Sequence, residues 1–318
     1  MSYQSFLMVN PHIQAMLNND TSLSNIATVN NIRNINLGNT PVPKLYNDND
    51  INFSSTSMDT MNYIKLLLFM IINLRTEYSL NYRNLRLSQQ QAESLTSVVT
   101  SAFKIGHSKY IEYFSGIKSV SVNIQTKSLN NVVVEINLVI KLIPHYDRAL
   151  YDTAQYLRMS QYVKHELLRT GKIHSRMSQK DIAKILYNWV VLHATYDDSF
   201  QSTSYSGHSA LYNGLAVCQG ITALYNTLCK LFGLNIVGMS GQALNSHTGQ
   251  QENHIWSFAL LDNQQVYMDS TWGIPRFKDP NTLVRNGINP KLLCDFSEFD
   301  IPYWKLEQER TWNKEIYG

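Results

Sequence analysis

Cys218 heads a run, residues 218–232, in which Ile221, Leu224, Tyr225, Leu228 and Phe232 recur at helical spacing before Gly233. The spacing predicts a helix that starts at or near the cysteine. A thiol placed there sits beside unpaired backbone N–H groups and the positive end of the helix dipole, which favour thiolate over thiol. The same N–H groups can hold the oxyanion that forms when a carbonyl is attacked. A nucleophilic thiol needs a base, and the base needs an orienting group. His254 and Asp269 are the candidates downstream.

Strand parity brings those two together. His254, Trp256, Phe258 and Leu260 alternate on one face of a predicted strand, and Asp262-Asn263 supplies a two-residue turn. That turn pairs Leu261 with Gln264, and so Trp256 with Asp269 and His254 with Thr271. His254 and Asp269 then lie on one face as diagonal neighbours, about 7–8 Å apart at the backbone. An imidazole and a carboxylate can close that gap.

In order along the chain stand Tyr196-Asp197, the run ALYNGLAVCQG at 210–220, Gly241, His254-Ile255-Trp256, and YMDSTW at 267–272. Together they resemble the bacterial transglutaminase-like core of the papain-like cysteine enzyme superfamily. The resemblance covers residues 178–275, with 36 residues from Cys218 to His254 and 15 from His254 to Asp269. It implies an α+β fold in which the nucleophile helix packs on an antiparallel sheet. It also implies Cys218 as nucleophile, His254 as base and acid, and Asp269 as orienter of His254. The activity implied is cysteine-dependent acyl transfer on amides of a protein or peptide: hydrolysis, deamidation or transamidation. Ile255, Ser257 and Ile221 depart from the family's usual residues without removing a reacting group.

Around the triad, Tyr212 and the Cys218 N–H are candidate oxyanion donors, and Gln219, Trp256 and Trp272 are candidate cleft residues. Tyr196-Asp197 is read as holding the approach to the site together. Cys229 lies about 16 Å along the helix from Cys218 and is read as packing, as is Cys294. His208 and His247 fall in polar loops and are read as solvated. Residues 198–209 and 241–253 are almost entirely polar. If they rim the cleft, water reaches a thioester, which favours hydrolysis or deamidation over cross-linking.

Several elements must position these groups. Ser178 with Asp181 reads as a helix N-cap, and residues 148–168 read as a long helix ending near Gly171. Upstream, residues 63–74 are apolar enough for a buried helix, and 88–103 have helical spacing. Residues 120–125 and 132–143 read as a hairpin around Asn130-Asn131. The first sixty residues, rich in Asn, Ser and Thr, read as loosely structured or wrapped on another part. The expected division is a mainly helical N-terminal region with a hairpin, 1–147, and a catalytic domain, 148–318.

The chain has 318 residues, 44% hydrophobic and 16% charged, with a net charge of +3. It can bury a sizeable core and is not compositionally disordered. No basic block supports a nucleic-acid groove. Three cysteines without close pairing make no disulfide framework. No CxxC, HxxxH or HxH pattern marks a metal site, and no cofactor is expected. The longest apolar run, 66–72, is far short of the roughly 20 residues that span a bilayer. No signal peptide is recognised, so the expected location is the cytoplasm. The alternatives are a non-catalytic peptide-binding module on the same fold and an effector delivered to another cell.

Overall fold

The computed structural model describes residues 23, 25–38, 40–244, 249–276 and 290–314. A short helix, α1 (Val29–Arg33), precedes an irregular segment and then α2 (Thr60–Ile72). Asp59 caps α2 by accepting from the Asn62 N–H at 2.7 Å, and Leu66, Leu67 and Leu68 are all fully buried. Each such leucine contributes about 2 kcal/mol of burial. The strand β1 (Glu77–Leu87) follows, then α3 (Gln89–Lys109), which opens on a capping box between Ser88 and Gln91.

A short turn of helix, α4 (Ile111–Phe114), leads into the hairpin of β2 (Ile117–Leu129) and β3 (Val132–Pro144). Asn130 and Asn131 both have positive φ, 50° and 62°, as a tight two-residue hairpin turn requires. β1 pairs with the other side of β3, so the expected hairpin is part of a three-stranded antiparallel sheet. The alternation of Tyr78, Leu80 and Tyr82 with polar residues is the sequence signal for that third strand.

The helices α5 (Ala149–Arg169) and α6 (Gln179–His193) come next, the latter capped by Ser178 as its sequence predicts. Two short parallel strands, β4 (Thr195–Tyr196) and β5 (Leu215–Ala216), bracket the loop before α7 (Cys218–Leu231). A second sheet has the order β8-β7-β6-β9, all antiparallel: β6 (Ile236–Leu244), β7 (Gln251–Leu261), β8 (Gln264–Met268) and β9 (Arg310–Trp312). The helix α8 (Tyr303–Glu309) runs directly into β9. Helix packed on antiparallel sheet makes this an α+β architecture.

α7 is clamped on the second sheet by polar as well as apolar contacts. The Thr222 hydroxyl donates to Ile255 O at 3.1 Å, and the Ser257 hydroxyl donates to Asn226 Oδ1 at 2.7 Å. On its other side, the Tyr156 hydroxyl of α5 donates to Ala223 O at 2.9 Å. The main hydrophobic cluster joins Leu67, Phe114 and Leu138 to Leu186, Leu224 and Leu228. Residue 147 therefore falls in a turn between β3 and α5, and one core runs past it.

Two glycines permit close approaches that matter to the site. A Cβ on Gly220 would meet the carbonyls of Ser206 and Ser204 at 2.7 and 2.8 Å, so only glycine lets the first turn of α7 nest in that loop. A Cβ on Gly241 would collide with Thr311 O, so glycine there admits β9 beside β6. Among the described residues no helix is long and apolar enough to cross a membrane.

Candidate active site

Val217, in extended conformation (φ −86°, ψ 177°), is the N-cap of α7 and makes no side-chain cap. Cys218 is thus the first residue of the helix, half-exposed, with the orphan N–H groups of the first turn around it. Gly214, at φ 66°, turns the chain toward β5 just before it.

His254 sits on β7 at a pair with Gly241, its side chain 6% exposed. Its Nε2 lies 2.7 Å from Asp269 Oδ2. Cys218 is an electrostatic neighbour of the same imidazole, and with Nε2 held by Asp269 the other ring nitrogen, Nδ1, is left for the thiol. Trp272 and Trp256 stack on the imidazole, with centroids 5.5 and 6.1 Å away. The hairpin has the register that parity requires, with Leu261 opposite Gln264 and Ser257 opposite Met268. Asp262 and Asn263 both have positive φ. β8 ends at Met268, and the Asp269 N–H turns away to Glu298 O at 2.9 Å.

Asp269 is fully buried. Its Oδ1 accepts from the backbone N–H groups of Thr271 and Trp272, each at 3.1 Å. Its Oδ2 accepts from His254 Nε2 and, at 2.9 Å, from Arg310 Nη2. Burial alone would push this carboxyl up. The His254 and Arg310 charges and their hydrogen bonds outweigh it and hold Asp269 below the usual carboxylate range. Burial likewise disfavours a charged His254, yet Asp269, with Cys218, raises it to about 10. The pair is therefore built to keep an imidazolium.

Beside the imidazole opens a cleft of about 410 Å³, lined by Tyr196, Leu244, Glu252, Trp272, Pro275 and Arg276 among others. The Arg276 guanidinium lies 3.5 Å over the Tyr196 ring. Burial, and then the neighbouring Cys218, push the Tyr196 hydroxyl above its ordinary value. The approach loop is tied down by Asp197, which accepts from the Ser199 and Gln201 N–H groups at 3.0 and 3.1 Å and from the hydroxyls of Ser199 and Ser204.

The other expected cleft residues are placed as follows. Tyr212 packs against His208 and under Arg33, while its carbonyl accepts from Arg33 Nε at 3.0 Å. Tyr196, paired with Ala216 just ahead of α7, has Cys218 as an electrostatic neighbour. Gln219 donates from Nε2 to Ser115 O at 2.7 Å, so its amide anchors α7 to the N-terminal half. Trp256 is fully buried among Met239, Tyr267, Ile301 and Leu306, supporting His254 from below. Trp272 does line the cleft.

The remaining candidates lie away from the site or outside the described residues. Cys229 and Cys294 are buried, and burial pushes their thiols up to about 12 and about 11. His208 is stacked rather than solvated, because the loop around it folds onto Tyr212. His247 lies outside the described residues, as do 245–248 of the loop read as a polar rim. Leu244, Trp272, Ile274 and Pro275 give the described cleft apolar as well as polar walls. Arg310 was not foreseen; the alternation of Arg310 and Trp312 around Thr311 is a strand hint too short to read.

Residues 169–272 match the family model of the transglutaminase-like superfamily, so the chain contains a domain of that superfamily. The matched stretch holds Cys218, His254 and Asp269. Among solved structures, the chain is similar to a candidate cysteine protease from Cytophaga hutchinsonii, at 14% identity and TM-score 0.31, over 50% of this chain and 67% of that one. It is similar to a TGase at 15% identity and TM-score 0.29, over 64% of this chain and 53% of that one. A candidate protease from Parabacteroides distasonis is similar at 9% identity and TM-score 0.26, over 60% of this chain and 39% of that one. The chain thus spans about half the length of the TGase and less of the second protease. No curated protein matches.

Proposed function

We propose that the protein is a thiol acyl-transfer enzyme acting on amide bonds of a protein or peptide. The observation that carries this reading is the buried His254–Asp269 contact of 2.7 Å, aimed at a cysteine on the first turn of a helix. The Cys218 thiolate attacks the amide carbonyl, and the oxyanion is held by first-turn N–H groups of α7. The His254 imidazolium gives its proton to the leaving amine, and a thioester remains on Cys218. Water or a second amine, deprotonated by His254, then releases the acyl group as acid or as a new amide. Asp269 orients the imidazole throughout and keeps its own charge. A passive peptide-binding module would have no use for a buried ion pair directed at a thiol.

Two measurements test this. A substoichiometric iodoacetamide pulse with peptide mapping should label Cys218 first, with Cys229 and Cys294 protected by burial. Equal labelling at either buried thiol would overturn the site. The second is partition of an acyl-enzyme, made with peptide or glutaminyl amides, between water and a millimolar primary amine. Polar loops ahead of Cys218 and His254 favour acid as the product; a dominant amide product would make the enzyme a transamidase with the same thiol step.

A further inference from the structure

Asp269 accepts four hydrogen bonds, about as many as a carboxylate has lone-pair sites to offer. Three donors come from within the transglutaminase-like stretch. The fourth, Arg310, comes from a strand 41 residues farther along, beyond that stretch. Its side chain is completely buried and reaches the imidazole by two routes. One is Nη2 on Asp269 Oδ2, the same oxygen that holds His254 Nε2. The other is the Trp272 indole, which has the guanidinium 3.9 Å from its centre and His254 stacked at 5.5 Å.

We propose that Arg310 is a positioning residue of this site, its guanidinium fixing the plane and the charge of Asp269 so that His254 is held in one orientation toward Cys218. The inference rests on the reading of Cys218 and His254 as a working pair. If Arg310 served only to join α8 and β9 to the sheet, its carboxylates on that side would suffice: Glu298 Oε2 and Glu309 Oε2, each at 3.0 Å. Instead Nη2 is shared between Glu298 and an oxygen that already has a donor. Two donors converging on Oδ2 weaken it as a proton acceptor, so the proton stays on Nε2 and the carboxylate orients rather than takes it.

The charges around the pair fit that role. Behind the imidazole, Arg310 and Lys305 face Asp269, Glu298 and Glu309, with Lys305 Nζ 2.6 Å from Glu298 Oε1. That set carries one net negative charge, which the proton on His254 balances. Without Arg310 it would carry two, and Asp269 would give its full charge to the imidazolium. Lysine could keep the charge but not the flat fork that bridges two carboxylates while lying on an indole.

The test uses the full chain with Arg310→Gln and Arg310→Lys. Three readouts are taken: thermal melting, the rate of Cys218 alkylation, and the NMR resonance of the His254 Nε2 proton. In Arg310→Gln, the rate should fall about tenfold, as expected for a misoriented partner. The Nε2 proton should move downfield, because Oδ2 has lost its competing donor. Arg310→Lys should leave that resonance near its wild-type position and slow alkylation by about threefold, since one point donor replaces a fork. A folded Arg310→Gln protein with wild-type rate and resonance overturns the inference and leaves the thiol mechanism standing. If Arg310→Gln does not fold, Arg310→Lys decides, and a wild-type rate there overturns it. A wild-type protein whose Cys218 labels no faster than Cys229 instead overturns the underlying reading, and the inference with it.

Discussion

The two ends of α7 each bring a fully buried carboxylate against a cation, and the two acids shift in opposite directions. Near the C-terminal end, Glu112 Oε1 and Oε2 accept from Lys230 Nζ at 2.9 and 2.8 Å. Burial dominates there, and Glu112 is pushed above its ordinary value despite the lysine. Near the N-terminal end, Asp269 is as deeply buried, yet it is held low by four donors, two of them on charged side chains. Burial by itself therefore says nothing about charge. What decides is how many donors the fold aims at the carboxylate. The first pair staples α4 to the helix end; the second is poised against a thiol.

The contrast is broken most sharply at Glu112. Replacing it with Ala should cost about 3 kcal/mol by leaving the Lys230 charge poorly matched, while Cys218 alkylation in the folded protein stays unchanged. Denaturant melts and alkylation rates on one sample check both halves. A slowed alkylation would show that the two ends of α7 are coupled.

Asp269→Asn should do the reverse. We expect alkylation slowed about ten- to hundredfold, because an amide orients imidazole but supports imidazolium poorly, with the fold retained. A lowered melting point with an unchanged rate would make Asp269 purely structural. The acid limb of stability sharpens the point. Asp269 is lowered on folding, so its contribution is present above the unfolded carboxyl range and is lost as pH falls toward its folded value. Glu112 is raised, so its contribution is present at low pH and is lost as pH rises through its folded value. Between pH 5 and 2, Asp269→Asn should flatten the loss of stability and Glu112→Gln should not.

The smallest effect is expected at Gln219. As an anchor to Ser115, its loss in Gln219→Ala should cost about 1 kcal/mol and leave alkylation near wild type. A large drop in acyl transfer with an unchanged alkylation rate would show that Gln219 acts on the substrate in the cleft and not only as an anchor.

Much of the site was legible because its determinants are local. Helical spacing and Gly233 place Cys218 at a helix start, and a two-residue turn sets the parity that brings His254 and Asp269 to one face. The helices α2, α3 and α6 carry side-chain caps and α5 its periodicity; α5 and α6 stand where the sequence puts them, whereas α2 starts three residues earlier and α3 runs six residues farther than expected. β1 was missed although its alternation is present, since a strand is confirmed only by its partner, and β3 lies 45 residues farther on. The place of Tyr196 was not legible, because it depends on β4 pairing with β5 some 20 residues farther on.

The sequence by itself placed Cys218 at a helix start and His254 and Asp269 on one face of a hairpin. Each follows from spacings short enough for helix and strand periods to control. Only the tertiary structure decided what surrounds them: Arg310 on the shared oxygen, Tyr196 beside the thiol, Arg276 over the cleft, and Gln219 turned to the N-terminal half. Those contacts join segments tens of residues apart, where no local period carries information. They are set by which faces must be buried together and which buried charges must then find partners.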